Sequence, residues 1–216
     1  QWALMSHRRA IAAIKEGKFK EEITPIIIKG KKGDISFEVD EHPKEDISME
    51  SLSKLKPAFK KDGTITAGNA SSINDGGAAI VLAGADKAKE LGLKPMAKLI
   101  ASASAAVDPK IMGFGVVPAV NRALKFAGLK KEDIDLWELN EAFAAQVIAC
   151  NRELKIDKEI INVNGSGISL GHPVGQTGVR LIVTLLHEMK RRKAKYGVAA
   201  LCAGGGPAVA TVFELI

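Results

Sequence analysis

Two short glycine-rich stretches of the chain each contain one side chain that could do chemistry. His172 lies between Gly171 and Pro173, and Cys202 precedes the run Ala203-Gly204-Gly205-Gly206. The chain contains only two cysteines and four histidines. Glycines let other groups approach the backbone closely, and their N–H groups can face developing negative charge. An imidazole and a thiol in such settings indicate acid, base or nucleophilic chemistry.

A third stretch, Asn140-Glu141-Ala142-Phe143, follows a predicted strand. Taken alone, Asn140 is explained as a helix N-cap, His172 as a capping histidine and Cys202 as a buried strand residue. All three are nevertheless predicted at the carboxyl ends of strands in one α/β unit, where such proteins build their sites. The helix predicted after His172 would lower the pKa of its imidazole and prepare it to act as a base. Together these residues predict an acid/base and oxyanion set for acyl-thioester chemistry.

Cys150 lies in a different setting. It shares the apolar stripe of a predicted helix with Phe143, Val147 and Leu154, and we expect it to be an inert core thiol. Because Cys150 and Cys202 lack CxxC spacing, the sequence favours neither a disulfide framework nor a cysteine-rich zinc site. A reducing, cytoplasmic location without a bound metal fits this cysteine usage best.

Composition limits the classes of protein to consider. With 216 residues, 46% of them hydrophobic, the chain can bury a substantial core in one or two domains. No apolar run approaches the roughly 20 residues that cross a bilayer. The formal charge of +6 suits a polyanion such as nucleic acid, an acidic membrane or a phosphorylated cofactor. Aromatic residues do not interleave with basic ones and no phosphate-binding glycine loop is present, so nucleic-acid and nucleotide-binding folds gain no support.

From residue 95 onward the hydrophobic pattern alternates between strand and helix periods. Strands are predicted at 97–107, 134–139, 160–163, 196–202 and 208–215, and helices at 117–127, after Asn140 and after Pro173. In the last of these helices, Val179, Ile182, Val183 and Leu186 are predicted to face inward. The order is therefore βαβαβαββ, an α/β unit of parallel strands whose last strand returns antiparallel.

The first 94 residues have a different character. Their pattern predicts an amphipathic helix at the start, a hairpin at 23–29 and 35–39, a charged irregular stretch at 40–61, a buried strand at 76–83 and a short helix at 86–91. The last strand and helix cannot bury their apolar faces alone, so we expect them to end a first α/β half. Because the chain opens on Gln1 within a helical pattern, we also expect a processed or truncated piece of a longer protein.

Three stretches around the candidate residues resemble the carboxyl-terminal signatures of the thiolase family. They are Asn140-Glu141-Ala142-Phe143, the run at 164–175 that contains His172, and Cys202-Ala203-Gly204-Gly205-Gly206. Ala67-Gly68-Asn69-Ala70-Ser71 with Asn74-Asp75-Gly76 is also similar to a thiolase segment, so the resemblance covers about residues 1 to 216. Asp108-Pro109-Lys110-Ile111-Met112-Gly113 favours the family members that form acetoacetyl-CoA.

The resemblance implies a Claisen condensation of two acetyl-CoA molecules to acetoacetyl-CoA, and the reverse thiolysis. In that scheme a nucleophilic cysteine is acylated with help from His172, and Cys202 removes a proton from the methyl carbon of the second acetyl-CoA. His172 and a water on Asn140 would hold the enolate oxygen, while the Gly204 N–H would serve the other oxyanion. A carbon beside a thioester is a weak acid, so its deprotonation needs both a thiolate base and enolate stabilisation.

Coenzyme A is then a substrate and product, and no permanently bound cofactor is implied. The resemblance implies that coenzyme A is recognised by Ser71, Ala67, Ser51, Lys44 and Phe143. It also implies that Met112 lies at the substrate pocket. The basic region near the hairpin would face the phosphates of coenzyme A. The chain departs from the family pattern at two places. Lys44 stands where the family often has Arg, so a bidentate phosphate contact would be lost. Pro207-Ala208 stands where the family usually has Met-Gly.

The resemblance divides the chain into three parts. Residues 1–73 would be part of a loop domain that binds coenzyme A, residues 74–94 the last strand and helix of an amino-terminal half, and residues 95–216 a complete carboxyl-terminal half of thiolase-like α/β fold. The acylated cysteine of the family lies in the amino-terminal half, and no residue here replaces it. We therefore expect this chain alone to be inactive, with the nucleophile in a preceding part of the protein.

Other functions stay open at this point. One alternative is a thiolase of β-oxidation that acts on longer 3-ketoacyl-CoA chains, and another is a non-catalytic module that binds acyl-CoA or a partner subunit. Nucleic-acid binding based on charge alone is the most distant option. The expected partners are acetyl-CoA, acetoacetyl-CoA, the amino-terminal part and further copies of the protein in a dimer or tetramer, with no nucleic acid and no membrane.

Overall fold

The amino-terminal part of the chain consists of three helices and one small hairpin. In the computed structural model, which describes residues 1–216, these elements are α1 (Trp2–Lys15), β1 (Ile26–Ile28), β2 (Ile35–Phe37), α2 (Met49–Ser53) and α3 (Ala85–Glu90). Strands β1 and β2 pair antiparallel, which confirms the predicted hairpin. Helix α1 packs through Ala3 against Ala144 and Ile168 of the carboxyl-terminal part.

The carboxyl-terminal part alternates strands and helices as the sequence predicts. Its elements are β3 (Ala97–Ala106), α4 (Val116–Ala127), β4 (Leu136–Leu139), α5 (Ala144–Leu154), α6 (Gly167–Leu170), α7 (Thr177–Arg192), β5 (Tyr196–Cys202) and β6 (Pro207–Leu215). Short 3-10 turns lie at Pro109–Gly115, Lys131–Asp133 and Lys158–Ile160. Gly128 ends α4 in the left-handed region, with φ of 68°, where a residue without Cβ is not strained.

One four-stranded sheet organises this part, in the order β3-β6-β5-β4. Strands β4 and β5 run parallel, and β6 pairs antiparallel with both β5 and β3. Leu139 is registered with Ala200 across the parallel pair. Because the carboxyl ends of β4 and β5 lie at the same edge, Asn140, which follows β4, and Cys202, which ends β5, are brought to one edge of the sheet.

Helices cover both faces of the sheet. Helix α4 packs on one face, where Val116 and Val120 join a cluster of 21 buried residues that includes Trp137 and Val198. Helix α7 packs on the other face through Leu181, Leu185 and Met189. Each such large side chain contributes roughly 1.5–3 kcal/mol through burial, so the sheet and its helices form a stable support for the edge.

Helix α7 buries a different set of apolar residues against the sheet from the set that the sequence predicts. Its buried apolar residues are Leu181, Leu185 and Met189, whereas the predicted inward set, Val179, Ile182, Val183 and Leu186, is only partly buried. Both stripes repeat at helical spacing, so periodicity alone does not choose between them. Contact with Leu136 and Phe213 of the sheet decides the orientation.

The strand predicted at 76–83 does not form. These residues make no regular secondary structure, and Val81 and Leu82 are 91% and 71% exposed. A strand requires neighbours that accept and donate its backbone hydrogen bonds, and none lies beside this segment. The short helix predicted after it does form, as α3.

The strand predicted at 160–163 is reduced to a single parallel bridge between Trp137 and Ile161. Asn162 interrupts the strand with a positive φ of 48°. Its side-chain amide replaces backbone pairing, because Oδ1 accepts from the Leu139 N–H at 2.8 Å and Nδ2 donates to the Leu139 carbonyl at 2.7 Å. The chain therefore continues beside β4 without adding a full strand.

None of the helices in the structure combines the length and the apolar character that crossing a bilayer requires.

Candidate active site

His172 lies in the turn between α6 and α7, five residues before α7 begins at Thr177. The helix predicted to open at Pro173 therefore starts later, because the Pro173 carbonyl accepts N–H bonds from both Gln176 and Thr177 and holds a turn. The dipole of α7 is thus not what lowers the pKa of His172. Burial lowers the pKa of His172, and the nearby charge of Arg180 lowers it further.

Four hydrogen bonds fix His172 in place. Its backbone N–H lies 3.2 Å from both the Ser72 carbonyl and Asn74 Oδ1. On the ring, Nδ1 lies 2.7 Å from Thr177 Oγ1, and Nε2 lies 3.4 Å from Asn140 Nδ2. The sequence predicted the meeting of His172 with Asn140 but gave no sign of Ser72, Asn74 or Thr177 as its partners.

Asn140 is fully buried and extends strand β4, not a helix. Its N–H donates to the Ala200 carbonyl at 2.9 Å, and α5 begins only at Ala144 with Phe143 at the N-cap. The predicted capping role is therefore wrong, and the side chain is free to face His172. Its Oδ1 has no hydrogen-bond partner, and a Cβ at Gly167 would lie only 2.6 Å from that oxygen.

Cys202 is the last residue of β5 and lies buried at its end. The residue is 6% exposed and packs with the main apolar cluster, and burial raises the pKa of its thiol. After it, Ala203 donates to the Pro207 carbonyl at 2.8 Å, while Gly205 and Gly206 have φ of 93° and 104°. Gly204 lies exposed at this turn. No hydrogen bond joins Cys202 to Asn140 or to His172. The three residues are instead related by their place at the same edge of the sheet.

Cys150 is a core thiol, as expected. It is fully buried on α5, and its Sγ donates to the Gly113 carbonyl at 3.3 Å. Burial raises its pKa to about 11. The neighbouring Met112 lies in the 3-10 turn and packs against the same cluster.

A cavity of about 400 Å³ gathers three of the residues assigned to coenzyme A recognition. Lys44, Ser51 and Ala67 line it, together with His7 and His42, which the sequence analysis missed. The two imidazole rings stack with centroids 6.1 Å apart. The pKa of His7 falls to about 4, because of burial first and then the neighbouring His42 and Lys44. His7 is therefore neutral near pH 7, and the cavity wall carries one lysine, Lys44, together with the acidic Asp46.

Ser71 and Phe143, the other two assigned residues, attach the loop to the Asn140 turn. The Ala142 carbonyl accepts from Ser71 N at 2.9 Å and from Ser71 Oγ at 3.1 Å. Phe143 meets Phe59 edge to face with ring centroids 5.9 Å apart. The loop that carries the cavity is thereby tied to the strand that carries Asn140.

A second connection runs from the cavity to His172. Ser72 Oγ lies 2.5 Å from His42 Nε2 and 2.5 Å from Asn74 Oδ1, which in turn accepts from the His172 backbone. Gly171 is required here, because its φ is +86° and an added Cβ would clash with the Asn74 amide. The approach of Asn74 to the turn therefore depends on this glycine.

Glu141 is buried directly behind Asn140. Its carboxylate accepts from four groups: Trp2 Nε1 at 2.8 Å, Ser6 Oγ at 2.6 Å, Asn162 Nδ2 at 3.2 Å and the Ile168 N–H at 3.3 Å. Burial nevertheless raises its pKa. The residue stands in the predicted motif, but its role as a junction between α1, β4 and α6 is visible only in three dimensions.

Comparison with known proteins agrees with this arrangement. The model of the thiolase carboxyl-terminal domain matches residues 93–215, and that of the thiolase amino-terminal domain matches residues 1–86. Acetyl-CoA acetyltransferases of Syntrophomonas wolfei and Pseudomonas aeruginosa are 54% and 56% identical over 98% and 97% of this chain. The chain spans about half the length of these relatives, 54% and 53%.

Solved structures give the same result for the fold. The acetyl-CoA acetyltransferase of Bacillus anthracis superposes with a TM-score of 0.97 at 52% identity, over 99% of this chain and 54% of that one. Human mitochondrial 3-ketoacyl-CoA thiolase gives a TM-score of 0.93 at 42% identity, over 100% of this chain and 54% of that one. With both thiolase domain models matched and the Asn140, His172 and Cys202 stretches at one sheet edge, the chain belongs to the thiolase family.

Proposed function

We propose that the chain is part of an acetyl-CoA C-acetyltransferase, which condenses two acetyl-CoA molecules to acetoacetyl-CoA and catalyses the reverse thiolysis. The observation that carries the proposal is the contact of His172 Nε2 with Asn140 Nδ2 at 3.4 Å, beside the strand that ends in Cys202. A base, an amide donor and a thiol at one edge are the groups that enolate formation requires.

The chemistry proceeds in two stages. A cysteine thiol gives its proton to His172 Nε2, attacks the thioester carbon of acetyl-CoA and releases coenzyme A, which leaves with the Cys202 proton. The Cys202 thiolate then removes a methyl proton from a second acetyl-CoA, and the protonated Nε2 and the Asn140 region stabilise the enolate oxygen. The enolate carbon attacks the acyl-enzyme thioester, which forms acetoacetyl-CoA and releases the nucleophile as a thiolate that takes its proton back from His172 Nε2. The Gly204 N–H stabilises the oxyanion of the acyl-transfer steps.

The nucleophilic cysteine is proposed to come from a segment outside this chain. Support comes from the roles of the two cysteines present, since Cys150 is closed in the core and Cys202 is the base. The test is incubation of the intact protein with radiolabelled acetyl-CoA, followed by mass spectrometry of acetylated peptides. The label is expected on a cysteine outside residues 1–216; a label on Cys150 or Cys202 overturns this assignment. The chain alone is expected to show no turnover.

Coenzyme A is proposed to bind along the cavity that Lys44, Ser51 and Ala67 line, with Ser71 and Phe143 at its end toward Asn140. Support comes from Lys44 at the wall of the cavity and from the formal charge of +6, since coenzyme A carries phosphates. It acts as substrate and product, not as a resident cofactor.

A 3-ketoacyl-CoA thiolase of fatty-acid β-oxidation is the second candidate. The similarity to human mitochondrial 3-ketoacyl-CoA thiolase favours it. Thiolysis of acetoacetyl-CoA and of a long 3-ketoacyl-CoA, measured side by side, separates the two. A higher kcat/KM for the long substrate would replace the first proposal, and no coenzyme A-dependent exchange at all would favour a binding module.

The protein is also proposed to act as a cytoplasmic homo-oligomer, a dimer or tetramer. The exposed apolar hairpin supports self-association, with Ile26 and Ile35 63% and 62% exposed. Two free cysteines fit a reducing compartment. Sedimentation of the intact protein tests the assembly, and a monomer at micromolar concentration contradicts it.

A further inference from the structure

Thr177, the first residue of α7, has a buried hydroxyl that touches the ring of His172. The residue is 0% exposed, and its Oγ1 lies 2.7 Å from His172 Nδ1 and 2.9 Å from the Pro173 carbonyl oxygen. No motif in the sequence singles it out. Its position follows from the turn at 173–176, which starts the helix where the threonine side chain meets the imidazole.

Counting protons gives the direction of both contacts. A carbonyl oxygen can only accept, so the single hydroxyl proton of Thr177 must point to Pro173. Thr177 Oγ1 is then an acceptor toward Nδ1, and Nδ1 must carry a hydrogen. In the neutral imidazole this leaves Nε2 without a proton.

The other side of the ring agrees independently. Nε2 faces Asn140 Nδ2, which is an amide donor, at 3.4 Å. A lone pair on Nε2 suits this neighbour, whereas a hydrogen there would oppose the amide hydrogens. Asn74 and Ser72 hold the backbone of His172, and a ring that turned over would lose the contact of Nδ1 with Thr177 Oγ1.

We infer that Thr177 is a positioning residue that holds the neutral imidazole of His172 in the Nδ1–H form, so that the lone pair of Nε2 faces the reacting groups. The inference rests on the proposed function for its catalytic meaning, because it keeps Nε2 ready to accept the proton of the nucleophile. When Nε2 becomes protonated, Nδ1 keeps its hydrogen and the bond to Thr177 is unchanged. Thr177 Oγ1 therefore accepts the Nδ1 hydrogen in both the neutral imidazole and the imidazolium of His172.

The chain offers a well-matched pair of variants. Thr177→Val keeps the shape but removes the acceptor, while Thr177→Ser keeps the hydroxyl. The Pro173 carbonyl still receives the N–H groups of Gln176 and Thr177, both at 2.9 Å, so the valine variant leaves no orphaned carbonyl. Besides the O–H bond to that carbonyl, the valine variant loses only the acceptor for Nδ1–H.

The direct test is NMR of the intact protein labelled with ¹⁵N and ¹³C histidine, with the His172 signals identified by their loss in His172→Gln. The wild-type protein and Thr177→Ser are expected to show a hydrogen on Nδ1 and a bare Nε2. Thr177→Val is expected to move population toward the Nε2–H form. A wild-type Nε2–H form, or a valine variant with an unchanged tautomer, overturns the inference. The wild-type spectrum decides the tautomer even if the valine variant fails to fold.

Kinetics provide the second readout. In Thr177→Val, kcat is expected to fall on the order of tenfold to a hundredfold with little change in KM for acetyl-CoA, while Thr177→Ser stays within about threefold. The acid limb of the pH profile should move to lower pH, because the imidazolium loses its acceptor for Nδ1–H. An unaltered kcat and pH profile in the valine variant overturns the positioning role. If the tautomer responds as expected but no acetyl transfer occurs, the proposed function fails and the tautomer assignment stands.

Discussion

His172 and Cys202 respond to burial in opposite directions. Removal from water disfavours the charged form of each, so the pKa of the imidazole falls and the pKa of the thiol rises. The imidazole is thereby kept neutral and able to accept a proton. The thiol is seldom ionised, but its thiolate is a stronger base for a weak carbon acid.

Replacement of Cys202 by serine is expected to lower kcat for acetoacetyl-CoA formation on the order of 10²- to 10⁴-fold, because a hydroxyl cannot act as the thiolate base. Stability should change little. Cys150→Ala is the matched control: it should cost about 1–2 kcal/mol of unfolding free energy and leave kcat nearly unchanged. Initial rates and urea unfolding measure the two effects. Equal losses of kcat in both variants would contradict the roles given to the thiols.

His7 predicts a pH dependence of stability. Its pKa is about 4 in the folded protein and 6.5 without perturbation, so between these values the unfolded state binds more protons. The free energy of unfolding should therefore fall as the pH drops from about 6.5 to 4. The His7→Gln variant should show a shallower fall over that window in urea titrations. An identical slope in the variant would refute the assignment.

At the scale of elements, the sequence predicted what depends on local pattern. The hairpin around Gly30–Gly33, helix α4 and strands β4 to β6 follow from periodicity and turn residues, and all three formed as predicted. The late start of α7 follows from the hydrogen bonds that the Pro173 carbonyl accepts, and the loss of the strand at 160–163 follows from the bonds of Asn162 to Leu139. Such contacts produce no repeating hydrophobic pattern in the sequence, so the sequence alone does not predict them.

The candidate site likewise contains residues that the sequence predicts and residues that only the structure shows. Asn140, His172 and Cys202 could be picked out because reactive side chains lie beside glycines and after strands. Thr177, His7 and His42 could not, because threonine and histidine are common surface residues and only the folded chain shows them buried or stacked. Pairings such as Ser72 with His42 join segments 30 residues apart.

The turn between α6 and α7 is sensitive to a single methyl group at position 171. Gly171→Ala requires a strained φ of +86° and pushes the Asn74 amide away from the His172 backbone. We expect kcat to fall about tenfold or more and stability to fall by about 1–3 kcal/mol. Gly175→Ala, at a position with open space and no positive φ, is the control. Rates and thermal unfolding of both variants make the comparison, and equal effects would show that the Asn74 contact is unimportant.

At the scale of the whole molecule, the edge of the sheet carries Asn140 and Cys202, and the loop part places Lys44 in the cavity beside it. Lys44 lines the cavity, and two stacked histidines lie beside it. The division at residues 73/74 and 94/95 stays a prediction. Three side chains connect the parts: Ser71 donates to the Ala142 carbonyl, Asn74 accepts from the His172 backbone, and Glu141 accepts from Ser6 of α1.

Lys44→Ala is expected to raise the KM for acetyl-CoA several-fold, roughly as expected for loss of one phosphate contact of about 1 kcal/mol, with kcat little changed. Lys125→Ala on the outer surface of α4 is the control and should behave as wild type. Added salt should reduce the difference between the two variants because it screens the charge. The same KM in both variants would argue against coenzyme A binding in this cavity.

Glu141 also bears on how the protein folds. Its bonds to Trp2 and Ser6 join residues 139 and 135 positions apart, so they close very long loops. Contacts of such sequence separation form late, since the entropy of loop closure must be overcome before they contribute. We therefore expect the turn that carries Asn140 to be completed only when helix α1 docks, so a partly folded chain with a formed sheet would still lack an ordered turn at this edge.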